Sequence, residues 1–139
     1  MIDDIIKKIA PTGVLRVGVN MSNFLLVNSK DKLGVIDGVS PGIGKKLAKE
    51  LNISFEIVQF ANPGLLADAV DNNEWDIGNI ASEKERGKTI DFSEPYVNID
   101  ANFLFREEDN FKNNNDIDQS GIKIACLLYT SDAADDSLR

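Results

Sequence analysis

WDIGNIASEKERGKTIDFSEPY, residues Trp75 to Tyr96, is the stretch on which the reading of this chain turns. It opens with a short apolar run, Ile77 to Ile80, that suits a buried strand. A charged segment follows, carrying Glu83, Lys84, Glu85, Arg86 and Lys88. Ile90 and Phe92 come next, and Pro95 breaks the chain before Tyr96. A strand that runs into a polar turn with a guanidinium just beyond it is one way to build an anion site. Backbone N–H groups and a planar guanidinium both suit a carboxylate. Taken alone, the same residues read more readily as a solvated surface turn than as an anion site.

The spacing adds what the chemistry lacks. Arg86 stands five residues before Asp91, and Asp91-Phe92-Ser93-Glu94-Pro95-Tyr96 is unbroken. An Arg five residues before an Asp-Phe-Ser-(Asp/Glu)-Pro-Tyr run resembles the amino-acid ABC-transporter solute-binding proteins of family 3, which have the type II periplasmic-binding-protein fold. The resemblance extends from about Gly13 to about Ala125. It implies an α/β fold in which this chain supplies lobe one, a βαβαβ mostly parallel sheet with flanking helices. Most of a second lobe would then be missing.

Bulk composition narrows the function classes. The chain has 139 residues, enough for one domain with a sizeable core. A net charge of −8 argues against nucleic acid or an anionic membrane as partner. With no His and one Cys, a His or multi-Cys zinc site and an intrachain disulfide are both excluded. No cofactor is expected. No apolar run approaches the roughly 20 residues of a membrane helix, and no secretory signal peptide is visible. The resemblance nevertheless implies a periplasmic or other extracytoplasmic location for the full-length parent.

Working outward from the central stretch, Ile2, Ile5, Ile6 and Ile9 make a one-faced helix expected to pack on the domain. Val14 to Asn20 alternates, with Leu15, Val17 and Val19 on one face of a first strand. Its Leu15-Arg16-Val17-Gly18 resembles the run that opens lobe one, where the following loop lines the ligand cleft. Here that loop is Asn20-Met21-Ser22-Asn23-Phe24. Asn20 and Asn23 offer amide hydrogen bonds and Phe24 an apolar wall; otherwise the two Asn are turn residues and Phe24 is core, the reading preferred for Phe24. Leu25 to Val27 reads as a short strand and Ser29 to Gly34 as a polar turn. Ser40-Pro41 reads as a helix start with Ser40 as N-cap. Ile43, Leu47, Ala48 and Leu51 supply its apolar stripe. Gly42 and Gly44 weaken its first turn by up to ~1 kcal/mol each relative to Ala. Ile53, Phe55 and Ile57 alternate through another strand, and Asn62-Pro63 repeats the cap-plus-proline start. Leu65, Leu66, Ala69 and Val70 give the second helix its buried stripe, and Trp75 is expected to pack at the strand edge.

Strand–helix–strand–helix–strand requires parallel strands, and ligands of open α/β sheets bind beyond the carboxyl ends of strands. That puts the loop after Asn20, the turn after Ile80 and Arg86 on one rim. The expected organisation is lobe one with the N-terminal helix and the start of a hinge strand over 1–106, a flexible Asn/Asp/Glu-rich linker over 107–120, and the first strand of lobe two over 121–125. Within lobe one, Asn98 to Phe105 reads as a long strand. Residues 126–139 have no counterpart in the family and resemble the adapter-derived run that ends translated metagenomic reads. They read as a non-native tail, with a real helix start as the alternative, so Cys126 receives no functional weight.

The resemblance implies that a lobe-one Arg, here Arg86, takes the α-carboxylate of an amino acid through two parallel charge-assisted bonds. Many members carry Ser or Thr five and seven residues before that Arg; this chain has Ala81 and Asn79, with Ser82 one place off. Ala81 offers its backbone and Asn79 its amide. The candidate site is therefore Arg86, Asn79, Ala81, Ser82, Asn20, Asn23 and Phe24, with no catalytic or metal-binding residue. An acidic ammonium partner would lie in lobe two. Three functions fit: a monomeric solute-binding component that delivers an amino acid or similar small carboxylate to an ABC permease, an enzyme of the cyclohexadienyl-dehydratase kind, or a sensor domain of a signalling protein. A lone lobe leaves its ligand exposed, where ion pairs are weak.

Overall fold

The computed structural model describes residues 2–28, 34–100 and 102–125. The polar turn over Ser29 to Gly34 lies almost wholly outside the described residues, as do Cys126 and the rest of the tail over 126–139. The chain divides into two compact units, Met1–Phe92 and Ser93–Arg139.

In the first unit, three parallel strands make one sheet: β1 (Val14–Asn20), β2 (Ser54–Phe60) and β3 (Ile77–Gly78), in the order β2-β1-β3. Val17 pairs with Ile57 on one side and Ile77 on the other. Successive strand residues face opposite sides of a sheet, and here that rule separates two cores. Leu15, Val17 and Val19, fully buried, join Ala10, Val27 and Ala48. On the other side Phe60, Leu66, Ala69, Trp75 and Ile90 cluster.

Close approach of backbone to side chain fixes both layers. Helix α2 (Val39–Leu51) meets β1 at Gly44, where a Cβ would lie 2.6 Å from Val17 Cγ2. Helix α3 (Pro63–Asp68) meets the opposite face at Gly18, where a Cβ would lie 2.5 Å from Leu66 Cδ1 and 3.1 Å from Trp75 Cγ. Trp75 is buried there and its Nε1 donates to the Leu66 carbonyl at 2.8 Å. Asn62 caps α3 as its sequence predicts, its Oδ1 accepting from the Leu65 N–H at 2.9 Å.

The shortest strand has the strongest fastening. Asp76, just before β3, accepts from the Arg16 N–H at 2.8 Å, from Nε at 3.1 Å and from Nη2 at 2.6 Å. Asn73 receives two more guanidinium hydrogens, one from Nη1 on its carbonyl at 2.5 Å and one from Nη2 on Oδ1 at 3.0 Å. The side chains of Arg16 and Asp76 are 14% and 3% exposed. The bonds donated to Asp76 raise the Arg16 pKa above its ordinary value, against burial, and the charges of Asp76 and Glu56 add to the rise.

Several local expectations fail for identifiable reasons. Helix α1 (Ile2–Ile9) forms, but Ile2 and Ile5 are exposed and only the end around Ile9 and Ala10 reaches the core. Leu25 to Val27 is a turn, because Asn23 collects the Leu26 and Val27 N–H groups on its carbonyl; the nearest pairing is a single antiparallel bridge, Asn28 to Asp37. The N-cap of α2 is Gly38, not Ser40. The 26–28 loop crosses at Gly38, where a Cβ would lie 2.6 Å from the Leu26 carbonyl oxygen, and φ there is +126°. Only glycine tolerates both. Leu65 is exposed rather than part of the α3 stripe, and β2, an edge strand, leaves Phe55 partly open.

In the second unit, Asn98 to Phe105 forms no strand among the described residues, and Ile99, Phe103, Leu104 and Phe105 are exposed. Residues 107–120 contain a 3-10 turn at Glu107–Asp109 and the short helix α4 (Asn114–Ile117). Asn113 caps α4 and Asp116 bonds back to the Asn113 N–H. Ile117 is buried, and the Phe105 and Phe111 rings meet edge to face at 5.5 Å. Gly121 lies in a turn and 122–125 form no strand with any of the described residues.

Candidate functional site

Parallel strands end on the same side, so the residues following β1 and β3 share one rim of the sheet. The chain after Gly78 runs through Asn79, Ala81 and Ser82 to a 3-10 turn, Arg86–Lys88. That turn is closed by the Gly87 N–H on the Glu83 carbonyl at 3.0 Å and the Ile90 N–H on the Arg86 carbonyl at 2.9 Å. Ile90 is buried in the second core, which anchors the turn from its far end.

Arg86 is held rather than free. Its Nη1 donates to the Ala81 carbonyl at 3.2 Å and to Glu83 Oε1 at 2.8 Å. The Arg86 side chain is 19% exposed and that of Glu83 49%. Nε and Nη2 carry no hydrogen bond among the described residues. The guanidinium thus has one nitrogen committed to its own turn and one complete edge, Nε with Nη2, uncommitted. Next to it, Lys88 pairs with Glu85, and the hydrogen bond with Lys88, then its charge, lowers the Glu85 pKa.

The other candidate residues divide by what already occupies them. Asn79 donates through Nδ2 to the Ser40 carbonyl at 3.3 Å, so its amide ties the β3 loop to the start of α2. Ala81 contributes its carbonyl to Arg86, an inward-looking role. Ser82 is exposed and makes no hydrogen bond among the described residues. Asn20, buried at the end of β1, accepts on Oδ1 from the Ser22 N–H at 3.1 Å and the Ser22 hydroxyl at 2.8 Å; Nδ2 has no hydrogen bond among the described residues. Asn23 accepts on Oδ1 from the N–H groups of Leu25 and Leu26, a turn-forming role. Phe24 is 74% exposed, which corrects the preferred reading of it as core. A turn that directs both neighbouring N–H groups inward leaves its ring outside.

Two features of the rim were not singled out from the sequence. One is a relay from loop to helix start to loop: the Ser40 N–H donates to the Leu26 carbonyl at 2.9 Å, and the Ser40 carbonyl receives Asn79. The Ser40 hydroxyl is itself buried with no partner among the described residues. The other is the Glu83–Arg86 pair, for which the three-residue spacing was the available signal. Among the described residues no three His, Cys, Asp or Glu side chains gather as a metal site would need, and no helix is long and apolar enough to cross a membrane.

The sequence profile of the bacterial extracellular solute-binding proteins, family 3, matches residues 15–124. No curated protein matches. Among solved structures, the chain is similar to an ancestral cyclohexadienyl dehydratase, AncCDT-3, with 30% identity and a TM-score of 0.56 over 69% of this chain and 38% of that one. It is similar to a mutant of the arginine-bound form of domain 1 from TmArgBP, the ArgBP of T. maritima, with 28% identity and a TM-score of 0.56 over 70% of this chain and 72% of that domain. It is also similar to a candidate ABC-transporter binding component from Wolinella succinogenes DSM 1740 complexed with lysine, with 25% identity and a TM-score of 0.54 over 61% of this chain and 36% of that one. The chain spans well under half the length of the first and third of these.

Proposed function

The chain belongs to the bacterial extracellular solute-binding proteins, family 3, and on that premise we propose that it is the ligand-binding lobe of an extracytoplasmic transport protein. Its ligand is an amino acid or similar small carboxylate, and its acceptor is an ABC permease. Arg86 receives the carboxylate on its Nε/Nη2 edge. The unbonded Nδ2 of Asn20 and the Ser82 hydroxyl supply further polar contacts, and the Phe24 ring an apolar wall. Asn79, Ala81 and Asn23 act through the frame, since their polar groups are spent within it.

The observation that carries this reading is the guanidinium held at the strand-end rim with one edge uncommitted. A carboxylate prefers such an edge because it accepts two parallel N–H bonds there. The surrounding turn covers most of the Arg86 side chain, so the interaction is screened less than at a fully exposed site. The relative whose single domain is arginine-bound supports ligand capture by one lobe. Arginine and lysine are therefore the first ligands to try. In the full-length parent, the protein works as a monomer and closes on its ligand by a hinge motion.

Titration calorimetry of the chain against L-arginine, L-lysine and neutral and acidic amino acids tests the proposal. At least one should bind, and Arg86→Ala should weaken it by roughly 10- to 150-fold, the worth of a hydrogen bond to a charged group. Equal affinities in both proteins would remove Arg86 from the site. The similarity to the ancestral dehydratase supports a second reading, an enzyme of that kind. Consumption of prephenate by the chain would favour it.

A further inference from the structure

We propose that Glu83 is the positioning residue for Arg86: it holds Nη1 so that the Nε/Nη2 edge meets the ligand carboxylate already oriented. The inference rests on the reading of Arg86 as the carboxylate receptor. An arginine side chain has four rotatable bonds, and binding through it must freeze them. Here the freezing is done in advance. Nη1 has two hydrogens, and the turn supplies two acceptors, the Ala81 carbonyl and Glu83 Oε1. The Glu83 main chain is fixed as well, because its carbonyl accepts the Gly87 N–H. The carboxylate that orients the guanidinium thus belongs to the turn that carries it.

The same geometry argues against Glu83 as an internal competitor. A competitor would occupy the edge that the ligand needs, whereas Glu83 touches one nitrogen and leaves the other two unbonded. Glu83 also neutralises Arg86 in part. A simple anion gains little net attraction at such a pair, while a ligand with a cationic group next to its carboxylate can face both charges.

Two variants and two readouts test this. Glu83→Ala removes the acceptor; Glu83→Gln keeps an acceptor oxygen and removes the charge. The pair is local and partly exposed, so neither change should unfold the chain. With L-arginine as probe, Glu83→Ala should weaken binding about 2- to 12-fold, the worth of one rotamer-rich side chain ordered beforehand. Glu83→Gln should largely restore it. Unchanged or tighter binding by Glu83→Ala would overturn the proposal. The second readout needs no ligand: 15N relaxation of the Arg86 Nε–H group, assigned by its disappearance in Arg86→Lys. It should be ordered in the parent chain and in Glu83→Gln, and mobile in Glu83→Ala. Equal order in the parent and Glu83→Ala would overturn the positioning role even if L-arginine binds. If no amino acid binds the parent chain, the functional reading falls, and the relaxation data still decide what Glu83 does.

Discussion

Replacing Asp76 with Ala should cost the first unit a large part of its stability, because β3 has little else to hold it. The strand is two residues long and pairs with β1 at two positions. Asp76 accepts three hydrogen bonds from Arg16, one from the main chain and two from the guanidinium, with its side chain 3% exposed. The pair is partly buried, so its loss falls short of the ~3–5 kcal/mol of a fully buried one; a hydrogen bond to a charged group is worth about 1.5–3 kcal/mol, and Asn73 still holds part of the guanidinium. A domain of this size has roughly 5–15 kcal/mol in total. Urea denaturation followed by circular dichroism would read the loss directly. Hydrogen exchange at the Ile77 and Gly78 amides should accelerate more than exchange in the middle of β1, because β3 is released first. The apolar replacement Arg16→Met with Asp76→Leu should be less damaging than the sum of the two single changes, as no charge is then left behind. A cost below about 1 kcal/mol for Asp76→Ala, less than one hydrogen bond to a charged group is worth, would refute the latch. Strictly additive single changes would refute the coupling.

Four further outcomes follow from particular atoms. Gly42→Ala should stabilise by about 0.5–1 kcal/mol, since its Cβ meets nothing within 4 Å, whereas Gly44→Ala should destabilise because Val17 is in the way; thermal melts of the two give opposite signs. Ser40→Ala removes a buried hydroxyl that has no partner, so it should leave stability unchanged or raise it by up to about 1 kcal/mol; a clear loss in urea titrations would mean the hydroxyl is bonded. Phe24→Ala should change stability by less than about 0.5 kcal/mol, as exposed positions do, while weakening L-arginine binding if the ring is a ligand wall. Tyr96 is half-exposed, and the partial burial of its ring raises the hydroxyl pKa, so in Tyr129→Phe protein its ultraviolet titration should lie above that of a free tyrosine in the folded state. The sign follows: the unfolded chain ionises first, so stability is intact below about pH 10 and falls as pH rises through the folded-state value.

What was legible in the sequence was legible for physical reasons. Leu15, Val17 and Val19 alternate because β1 is central and one of its faces is covered by α2 together with Ala10 and Val27. Asn62-Pro63 starts a helix because cap and proline act within one turn of chain. The chain leaves β3 at the carboxyl end of the sheet, as parallel pairing requires, and the turn that carries Arg86 follows it. The misses share a different cause: each depends on a contact distant in sequence. Ser40 looked like a cap, yet the crossing of the 26–28 loop over Gly38 moves the helix start upstream. Arg16 sits in an otherwise apolar strand, and its partner lies sixty residues on. A charge in such a strand demands a counter-charge, so the demand was visible while the answer was not. The apolar run around Ile99 to Phe105 has strand composition, but composition cannot pair a strand with residues that are not beside it.

The relay from Leu26 through Ser40 to Asn79 has an evolutionary consequence. Two loops and the start of α2 at the mouth of this lobe are cross-tied, and of the four groups involved three are main-chain atoms. Main-chain ties are indifferent to which side chain stands at a position. Descendants of this sequence can therefore exchange Phe24, Ser82 or other outward residues, and so change what they capture, while the scaffold that presents those residues keeps its shape. Only Asn79, the single side-chain tie, lacks that freedom.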